Sequence, residues 1–446
     1  MPVARDLVWR FVPERRLAVV FAISAGAWLL PGRAGIVTGL ALVSVIVLTA
    51  VVDLLLLPAR RQIEVSRVLP ESIGLGDELT AAIVVRNSSA RDLHMRVSDR
   101  LPESLRGGVL DGTFVRVPGD STSSIAMPVR GHARGLATLG PLGVRVTTAL
   151  GLVGRRMRIA TSDTIRVVPS LTGVRFFRLL ALQNRLRLTG ARQLRRKGDG
   201  QGFAGLREYV LGDDPRHIDW KATSRRGTVI TREFTIERSQ TVFTLIDAGR
   251  LMTQLVGEYA RFEHALNAAL VLSDIAASAG DRIGTCVFDD EVRAFVPAMK
   301  SRGALQTIRD AFVPVMASSR EPDYASAFRF LATHQRKRAL VVLFTDVIDV
   351  RASQALVAHV SRGAARHLVL VVALRNDAVL AAANPGRAMS SGGLFEVAAA
   401  EELLEARAAV LERMRRAGAS VLDVSPTAMT AALVNRYLEL KSRGAI

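Results

Sequence analysis

The sequence predicts a multi-domain protein with an N-terminal transmembrane helical hairpin, a small all-β sandwich and a C-terminal α/β domain with a doubly wound, mostly parallel sheet. Three observations predict this arrangement: a long apolar stretch near the N-terminus, a series of short alternating segments after it, and a regular alternation of apolar strands and helices from residue 240 onward. The 446 residues are enough for two or three domains. We expect the anchor at residues 1–58, the sandwich at 59–170, a connector at 171–239 and the α/β domain at 240–446.

Residues 17–57 form the apolar stretch, in which Arg33 and Asp53 are the only charged residues. A helix that crosses the roughly 30 Å hydrocarbon core needs about 20 residues, so this stretch is too long for one helix. The sequence PGRAG at residues 31–35 breaks it, which predicts transmembrane helices at about 17–30 and 35–57, with Trp28 as an interfacial anchor. Asp53, near the end of the second helix, is expected to reach the lipid headgroups.

Basic residues on both sides of the hairpin set its expected orientation. Arg15 and Arg16 precede it and Arg60 and Arg61 follow it, whereas the turn contains only Arg33. The positive-inside rule therefore predicts a multi-pass protein of the inner (cytoplasmic) membrane with both termini in the cytoplasm. A secretory signal peptide is the alternative. We favour it less, because no small-residue cleavage site follows the first apolar run and a longer apolar run comes next.

Residues 62–169 are predicted to form the β-sandwich, since short runs rich in β-branched residues alternate with Pro, Gly, Asp and Ser turns. No helical periodicity interrupts them. The predicted strands are IEVSRVL, LTAAIVVRN, LHMRVSD, TFVRVP, SIAMPVRG, LGVRVTTALGL and DTIRVVP.

From residue 240 the chain alternates between continuous apolar runs and amphipathic segments, which is typical of a parallel sheet covered by helices on both faces. The predicted strands include TVFTLID, RIGTCVF, ALVVLFTD, HLVLVVAL and SVLDVS, with helices such as 258–279 and 395–417 between them. The single cysteine, Cys286, lies in one of these strands and is expected to be a small buried apolar residue. Such sheets bind ligands at the carboxyl ends of their strands, where Asp247 and Asp346 stand.

Residues 171–204 are predicted to form a connector with a basic helical part and a flexible glycine-rich end. Eight basic residues and no acidic one lie between Val174 and Lys197, and Gly198, Gly200 and Gly202 follow. This segment, together with a net charge of +19, is compatible with anionic lipid, an acidic protein or nucleic acid. Nucleic acid is not expected, because no helix-turn-helix, zinc-finger or stacking-platform pattern accompanies the charge.

Residues 205–247, which we call the signature segment, contain the densest set of polar residues in the chain. Charges of both signs are interleaved with Tyr209 and Trp220, and the segment runs directly into an apolar strand that ends on Asp247. On physical grounds alone, an interdomain linker stiffened by surface ion pairs is an equal alternative, since exposed ion pairs contribute little to stability.

The residue order LREYxxGDDxRxIDWxxTSRRGxxxxREFxxE, within residues 202–247, resembles the signature of the domain of unknown function 58 family. The stretch RGLATLGPLGVRVTTALGL is similar to another part of that family, although Thr148 and Ala149 replace its usual Asp-Pro. The resemblance implies a von Willebrand factor type A-like domain after the signature and a MoxR-type AAA+ ATPase as companion. The expected signature or partner-binding residues are Arg207, Tyr209, Gly212, Asp213, Asp214, Arg216, Asp219, Trp220, Arg225, Arg226, Glu233 and Glu237.

The metal site of a von Willebrand type A domain, which the resemblance implies at the strand ends, is expected to be degenerate in this chain. Its first loop has the pattern D-x-S-x-S, but DAGRL keeps Asp247 and replaces the serines with Gly249 and Leu251. Asp346 matches the last carboxylate, and Pro322 stands near the expected threonine. We therefore expect no metal and no other cofactor, with Asp247 and Asp346 accepting backbone N–H bonds instead. A partner could use the same rim through Arg250, Asp323 and Asp349.

These features predict a membrane-anchored, non-enzymatic adaptor or chaperone-like protein that works with a MoxR-type AAA+ ATPase on an unidentified client protein. In that role the signature segment is either an intramolecular joint between domains or the surface that docks the ATPase. The alternative is a metal-dependent hydrolase that uses Asp213, Asp214, Asp219 and His217 as its acid–base set. The other histidines show no metal-ligand spacing.

Overall fold

The structure is a computed structural model that describes residues 10–108, 110–170, 197–210, 213–235, 240–300, 303–347, 353–384 and 391–444. The chain divides into two compact units, residues 1–170 and 171–446. The first unit contains an apolar helix near the N-terminus and three β-sheets, and the second contains a six-stranded sheet surrounded by helices. The multi-domain organisation expected from the sequence is therefore confirmed. Most of the basic segment predicted to be helical, residues 171–196, lies outside the described residues.

Helix α2, Gly32–Leu56, is the apolar helix. Its 25 residues span about 38 Å at 1.5 Å per residue, more than the roughly 30 Å of a bilayer core. Among the described residues it is the one helix that is long and apolar enough, by length and composition, to cross a membrane. The first predicted transmembrane segment instead contains α1, Arg15–Ala25, which is about 16 Å long, and a 3₁₀ turn at Gly26–Leu29. Only one of the two predicted spans is therefore long enough.

The strands of the first unit form a five-stranded sheet in the order β1-β11-β10-β5-β7, a four-stranded sheet β2-β4-β8-β6 and a three-stranded sheet β3-β12-β9. Side chains along each strand alternate between the core and the solvent, because successive residues point to opposite faces. One apolar core is shared by strands of all three sheets. The strands are β1 Arg10–Pro13, β2 Ile63–Val68, β3 Ser72–Gly74, β4 Glu78–Asn87, β5 Leu93–Asp99, β6 Leu105–Gly107, β7 Leu110–Val117, β8 Ser121–Gly131, β9 Gly135–Thr138, β10 Leu142–Thr147, β11 Val153–Ile159 and β12 Thr164–Val168.

Strand β1 precedes α1 in the chain, yet it pairs antiparallel with β11, which follows α2 by almost a hundred residues. Phe11 lies opposite Arg155, and the guanidinium of Arg155 stands 4.7 Å from the centre of the Phe11 ring. The sequence analysis did not predict β1 or β11. Both ends of the α1–α2 segment consequently attach to the same β unit.

Asp53 lies inside the first unit and is fully buried, so the expectation that it reaches the lipid headgroups was wrong. Its carboxylate accepts hydrogen bonds from the Thr148 hydroxyl and from the backbone N–H groups of Leu152 at 2.7 Å and Val153 at 2.8 Å. A buried carboxylate requires such donors, since burial without them costs several kcal/mol. The loop between β10 and β11 is therefore held to the end of α2.

The signature segment folds, together with the glycine-rich residues before it, as a small two-stranded unit. Strand β13, Lys197–Glu208, contains those glycines and pairs antiparallel with β14, Ile230–Thr235, with two irregularities in register. Between them lie a 3₁₀ turn at Pro215–His217 and helix α3, Trp220–Arg226. Gly198 and Gly200 lie within the first irregularity, where Lys197 and Gly202 both stand opposite Thr235.

The large sheet of the second unit has the order β19-β18-β15-β20-β21-β22, in which β19 is antiparallel and the other five strands are parallel. Helices α4, α5 and α10 pack on one face, and α6, α7 and α9 pack on the other. Cys286 is fully buried in β18 as expected, and burial raises its pKa to about 12. The strands are β15 Thr241–Asp247, β16 Leu255–Val256, β17 Tyr259–Ala260, β18 Arg282–Phe288, β19 Val292–Met299, β20 Leu340–Thr345, β21 Leu368–Leu374 and β22 Ser420–Val424. The helices are α4 Arg261–Ser278, α5 Ala304–Phe312, α6 Tyr324–His334, α7 Gln354–Ala364, α8 Asp377–Ala383, α9 Ser391–Arg416 and α10 Met429–Ser442.

Candidate functional site

The first carboxylate of the signature segment, Asp213, is bound by residues of the same segment. Arg207 donates to both of its oxygens, at 2.7 and 2.6 Å, and the backbone N–H of Val210 donates at 3.0 Å. The hydroxyl of Tyr209 donates to the Asp213 carbonyl at 3.1 Å. The Arg207 hydrogen bonds, followed by the Val210 bond, hold the pKa of Asp213 below its usual range. Asp213 therefore closes the turn after β13, and its hydrogen bonds favour the ionised form of the carboxyl group.

Asp214 and Asp219 begin the two helical turns of the segment. Asp214 accepts from the Arg216 side chain at 2.7 Å and from its backbone N–H at 3.0 Å, which together lower the Asp214 pKa to about 2. Asp219 accepts from the Ala222 N–H at 3.0 Å, as an N-cap of α3, and from Arg232 at 2.9 Å. The Ala222 and then the Arg232 hydrogen bonds lower the Asp219 pKa. Each of the three carboxylates thus has its own arginine and its own backbone donor.

The pKa values of these carboxylates bear on the acid–base role that the hydrolase alternative gives them. A general acid or base needs a pKa near the working pH, whereas the pKa values of Asp213, Asp214 and Asp219 are all lowered. The carbonyl of His217 accepts a hydrogen bond from the Thr231 hydroxyl at 3.3 Å, so the backbone of His217 contributes to the turn. The described contacts of the segment are those of a folded scaffold that holds its charges in place.

The same scaffold leaves an apolar and cationic surface exposed. The side chain of Trp220 is 69% exposed, and Leu206, Val210 and Val229 are also exposed. Arg225 and Arg226, in the last turn of α3, are exposed and form no ion pair with a described residue. Tryptophan and arginine are the residue types that contribute most binding energy at protein interfaces. Of the remaining expected residues, Gly212 and Glu237 lie outside the described residues, and for Glu233 the structure describes only its backbone place in β14.

At the strand ends, Asp247 is a buried carboxylate surrounded by neutral donors. It accepts hydrogen bonds from the Gly249 N–H at 2.7 Å, the Tyr324 hydroxyl at 3.0 Å and the Thr345 hydroxyl at 2.7 Å. Burial raises its pKa to about 6 despite these bonds. The predicted loop-capping role is therefore seen in the Gly249 contact, and the two hydroxyl donors could not have been read from the first loop alone.

Asp346 differs from Asp247, because two arginines bind it. Arg261 of α4 and Arg407 of α9 both donate to the carboxylate, the latter at 2.8 Å, and the Val347 N–H donates at 2.8 Å. All three charged side chains are almost completely buried. Sequence reasoning missed both arginines, since they stand on helices 85 and 61 residues away from Asp346 in the chain.

A divalent cation does not fit the described residues at these strand ends. The oxygens that would hold it on Asp346 already accept from two guanidinium groups, whose charge would repel a metal ion. A side chain at position 249 would place its Cβ 2.8 Å from Pro322 and 2.9 Å from the Arg320 carbonyl, so a serine ligand has no room there. Within the described part of the chain, no cluster of three or more His, Cys, Asp or Glu residues is arranged for a metal.

Other polar residues complete this edge of the sheet. Asp289, after β18, is bound by Arg293 at 2.7 Å and by the Ser318 hydroxyl at 2.8 Å. Arg250 of the predicted rim pairs with Glu321 at 2.6 Å, and Asp323 caps α6 through the Ser326 N–H at 3.0 Å. Asp349 lies outside the described residues. A cavity of about 210 Å³ opens beside Asp346 and is lined by Gln254, Asp346, Val347, Asn376, Val379, Leu403, Leu404 and Arg407.

Comparison with known proteins supports the family resemblance. Residues 205–391 match the model of the family described as "Protein of unknown function DUF58". Uncharacterized protein Rv1480 of Mycobacterium tuberculosis is 24% identical over 269 residues, which is 56% of this chain and 82% of the relative. Uncharacterized protein YeaD of Bacillus subtilis is 26% identical over 205 residues, 44% of this chain and 50% of the relative. The match begins at the signature segment and extends through α8.

Two solved structures each align with about a quarter of the chain. A PapD-like domain of human CEP192 aligns with 24% of this chain and 87% of its own, at 10% identity and a TM-score of 0.18. The native conformation of E. coli alpha-2-macroglobulin aligns with 24% of this chain and 7% of its own, at 14% identity and a TM-score of 0.19. Because both TM-scores are low, neither structure indicates the fold or the function of this protein.

Proposed function

We propose that the protein is a membrane-anchored, non-enzymatic adaptor that binds another protein through its signature segment. The observation that carries the proposal is the exposure of Trp220 at the start of α3 and of Arg225 and Arg226 at its end, on a scaffold in which Asp213, Asp214 and Asp219 are paired internally. An exposed tryptophan on a rigid base loses little conformational entropy when a partner covers it. Of the two roles expected for the segment, the proposal takes docking, in which the partner covers Trp220.

The anchor in this proposal is the α1–α2 segment, inserted as a hairpin into the inner membrane with both chain termini in the cytoplasm. Support comes from the exposed apolar side chains along both helices and from the pairing of β1 with β11. Because both ends of the segment join one β unit, a chain that enters the membrane through α1 returns through α2. Trp28 packs over Gly39, where a Cβ would lie 2.6 Å from the indole, so the turn of the hairpin is closely packed.

The second unit is proposed to be a von Willebrand type A-like domain that does not use its metal site. Support comes from a mostly parallel sheet with an antiparallel edge strand, three helices on each face, and Asp247 and Asp346 at neighbouring strand ends. The proposed partner is a MoxR-type AAA+ ATPase acting on a client protein. That part of the proposal rests on the family resemblance alone.

The test is a pull-down of the full-length protein, solubilised in detergent from its native membrane, with and without ATP and read by mass spectrometry. We expect an AAA+ ATPase whose recovery depends on nucleotide and is lost in Trp220→Ala. Phe395→Ala is the matched control, because Phe395 is an equally exposed aromatic residue outside the segment. Equal recovery with Trp220→Ala and wild type would remove the docking role, and the absence of any ATPase would remove the proposed partner.

A further inference from the structure

Helices α6 and α7 pack side by side on one face of the large sheet and leave a groove of about 610 Å³ between them. Its floor is mainly apolar and includes Ala325, Phe328, Ala332 and Gly363. A Cβ at position 363 would lie 2.9 Å from the Phe328 ring, so glycine is what permits the two helices to approach at the base. The groove is concave enough to accept a side chain from another molecule.

Three exposed arginines, Arg329, Arg362 and Arg366, line the rim of the groove. In the described part of the chain none of them forms an ion pair with a carboxylate. Arg329 donates to the Ala325 carbonyl at 3.3 Å, and Arg362 donates to the Ala358 carbonyl at 3.4 Å and to His359. The loop that leads from α6 into β20 adds three further basic residues, Arg336, Lys337 and Arg338. This cluster creates a positive potential that favours a negatively charged ligand.

His367, which also lines the groove, is buried with only 7% of its surface exposed. Its Nδ1 atom has no hydrogen-bond partner among the described residues. Burial and the neighbouring charge of Arg366 lower the His367 pKa, so the ring is neutral at neutral pH. A buried polar atom without a partner is costly and uncommon in folded proteins.

We propose that the groove between α6 and α7 binds an acidic segment of a partner protein, which inserts an apolar side chain between the two helices. The arginine rim selects negative charge, and the concave apolar floor selects a protruding side chain. A lipid bilayer satisfies the rim but leaves the floor uncovered, and a nucleic-acid backbone has no apolar group to place there. This surface is separate from the signature segment, so the inference stands independently of the function proposed above.

A structural role accounts for only part of the cluster. Arg362 and Arg366 lie at the carboxyl end of α7, where cations stabilise the helix dipole. Arg329 stands in the middle of α6 and has no such role. The depth of the groove does not follow from helix capping either. The arginine rim and the concave apolar floor coincide at one place, and a ligand with both charge and apolar surface accounts for both.

The test measures binding of a fluorescein-labelled synthetic peptide, made of glutamate and leucine at helical spacing, to the full-length protein in nanodiscs of neutral lipid. We expect saturable binding by fluorescence anisotropy that weakens by tenfold or more when every glutamate is replaced with glutamine or every leucine with serine. The double variant R362E/R366E is expected to bind about tenfold more weakly, since it reverses two exposed charge contacts. Ala332→Trp fills the floor without changing charge and is expected to weaken binding similarly.

The control R86E/R106E reverses two exposed arginines of the first unit and is expected to bind like wild type. Unchanged binding in both R362E/R366E and Ala332→Trp would overturn the proposal. So would tighter, Arg362-dependent binding to phosphatidylglycerol vesicles or to single-stranded DNA than to the peptide, because the occupant would then be a membrane or a nucleic acid. Melting curves show whether each variant is folded. Trp220→Ala is expected to bind the peptide normally, which separates this surface from the signature segment.

Discussion

The guanidinium of Arg407 donates a 2.8 Å hydrogen bond to the carboxylate of Asp346, directly after strand β20. Arg261 binds the same carboxylate from the opposite face of the sheet. Helices on the two faces are thus connected through one strand-end residue. Two cationic side chains of the protein therefore share one buried carboxylate.

Replacing Asp346 with alanine is expected to lower the free energy of unfolding by about 3–5 kcal/mol, because two buried guanidinium groups would lose their shared counter-charge. The matched control is Asp377→Ala, which breaks the exposed pair with Arg375 and is expected to cost about 0–1 kcal/mol. Urea unfolding of the full chain in detergent, followed by circular dichroism, measures both. Equal losses in the two variants would contradict the structural role of Asp346.

Magnesium ions and EDTA are both expected to leave the melting temperature unchanged. A ligand that binds the folded state raises the melting temperature as its concentration rises. Melting curves over a wide range of Mg²⁺ concentrations therefore test whether a metal ion binds at the strand ends of Asp247 and Asp346. The double variant Gly249→Ser with Leu251→Ser restores the missing hydroxyls but is also expected to show no shift, since residue 249 has no room for a Cβ beside Pro322. A concentration-dependent rise in either protein would show that the edge opens to metal.

Asp247 is expected to make stability fall as pH rises from about 4 to about 6. Its pKa is raised from 3.8 to about 6 by burial, so the folded state holds a proton that the unfolded state has already released. The contribution is complete below pH 4 and is lost above pH 6, and amounts to about 3 kcal/mol at most. We expect Asp247→Asn to remove this dependence when unfolding free energies of variant and wild type are compared across that range. Parallel curves would contradict the raised pKa.

Asp53→Ala is expected to free the loop between β10 and β11 from the end of α2. Three donors lose their acceptor, which corresponds to about 1–3 kcal/mol for each donor left buried and unsatisfied. Hydrogen exchange followed by mass spectrometry should show faster exchange of the Leu152 and Val153 amides. The amide of Met127, in the pairing of β4 with β8, serves as the internal control. Unchanged exchange at Leu152 and Val153 would mean that Asp53 does not hold this loop.

Trp220→Ala and Asp219→Ala change neighbouring residues of the signature segment, but we expect them to differ in their effect on the free energy of unfolding. Removal of the exposed Trp220 ring should change the free energy of unfolding by no more than about 0.5 kcal/mol while abolishing partner recovery. Removal of the Asp219 cap should cost about 1 kcal/mol, because α3 loses the acceptor for its Ala222 N–H. If Trp220→Ala were the more destabilising, the segment would be a joint whose tryptophan is covered.

Much of the architecture follows from local pattern. Two largely apolar runs correspond to buried strands: residues 340–345 and the run that ends at Asp247. A strand that is covered on both faces carries apolar side chains on both of them. Helix α2 follows from length and composition in the same way. Strand β11 was missed because arginines occupy its exposed positions and leave few apolar residues to count. Strand β1 was missed because four residues carry no periodicity.

The candidate site likewise contains some contacts that follow from the sequence and others that only the tertiary structure shows. Asp213 and Asp214 form ion pairs with arginines that are six and two positions away in the chain. The proximity of these charged residues therefore follows from the sequence. The sequence by itself therefore determined the apolar helix, the strand and helix pattern of the second unit and the signature segment. Only the tertiary structure decided that Arg261 and Arg407 meet at Asp346, that Asp53 holds a distant loop, and that Arg329 and His367 share a groove. Those contacts join residues far apart in the chain, and their positions depend on how the strands pair and on which faces the helices cover.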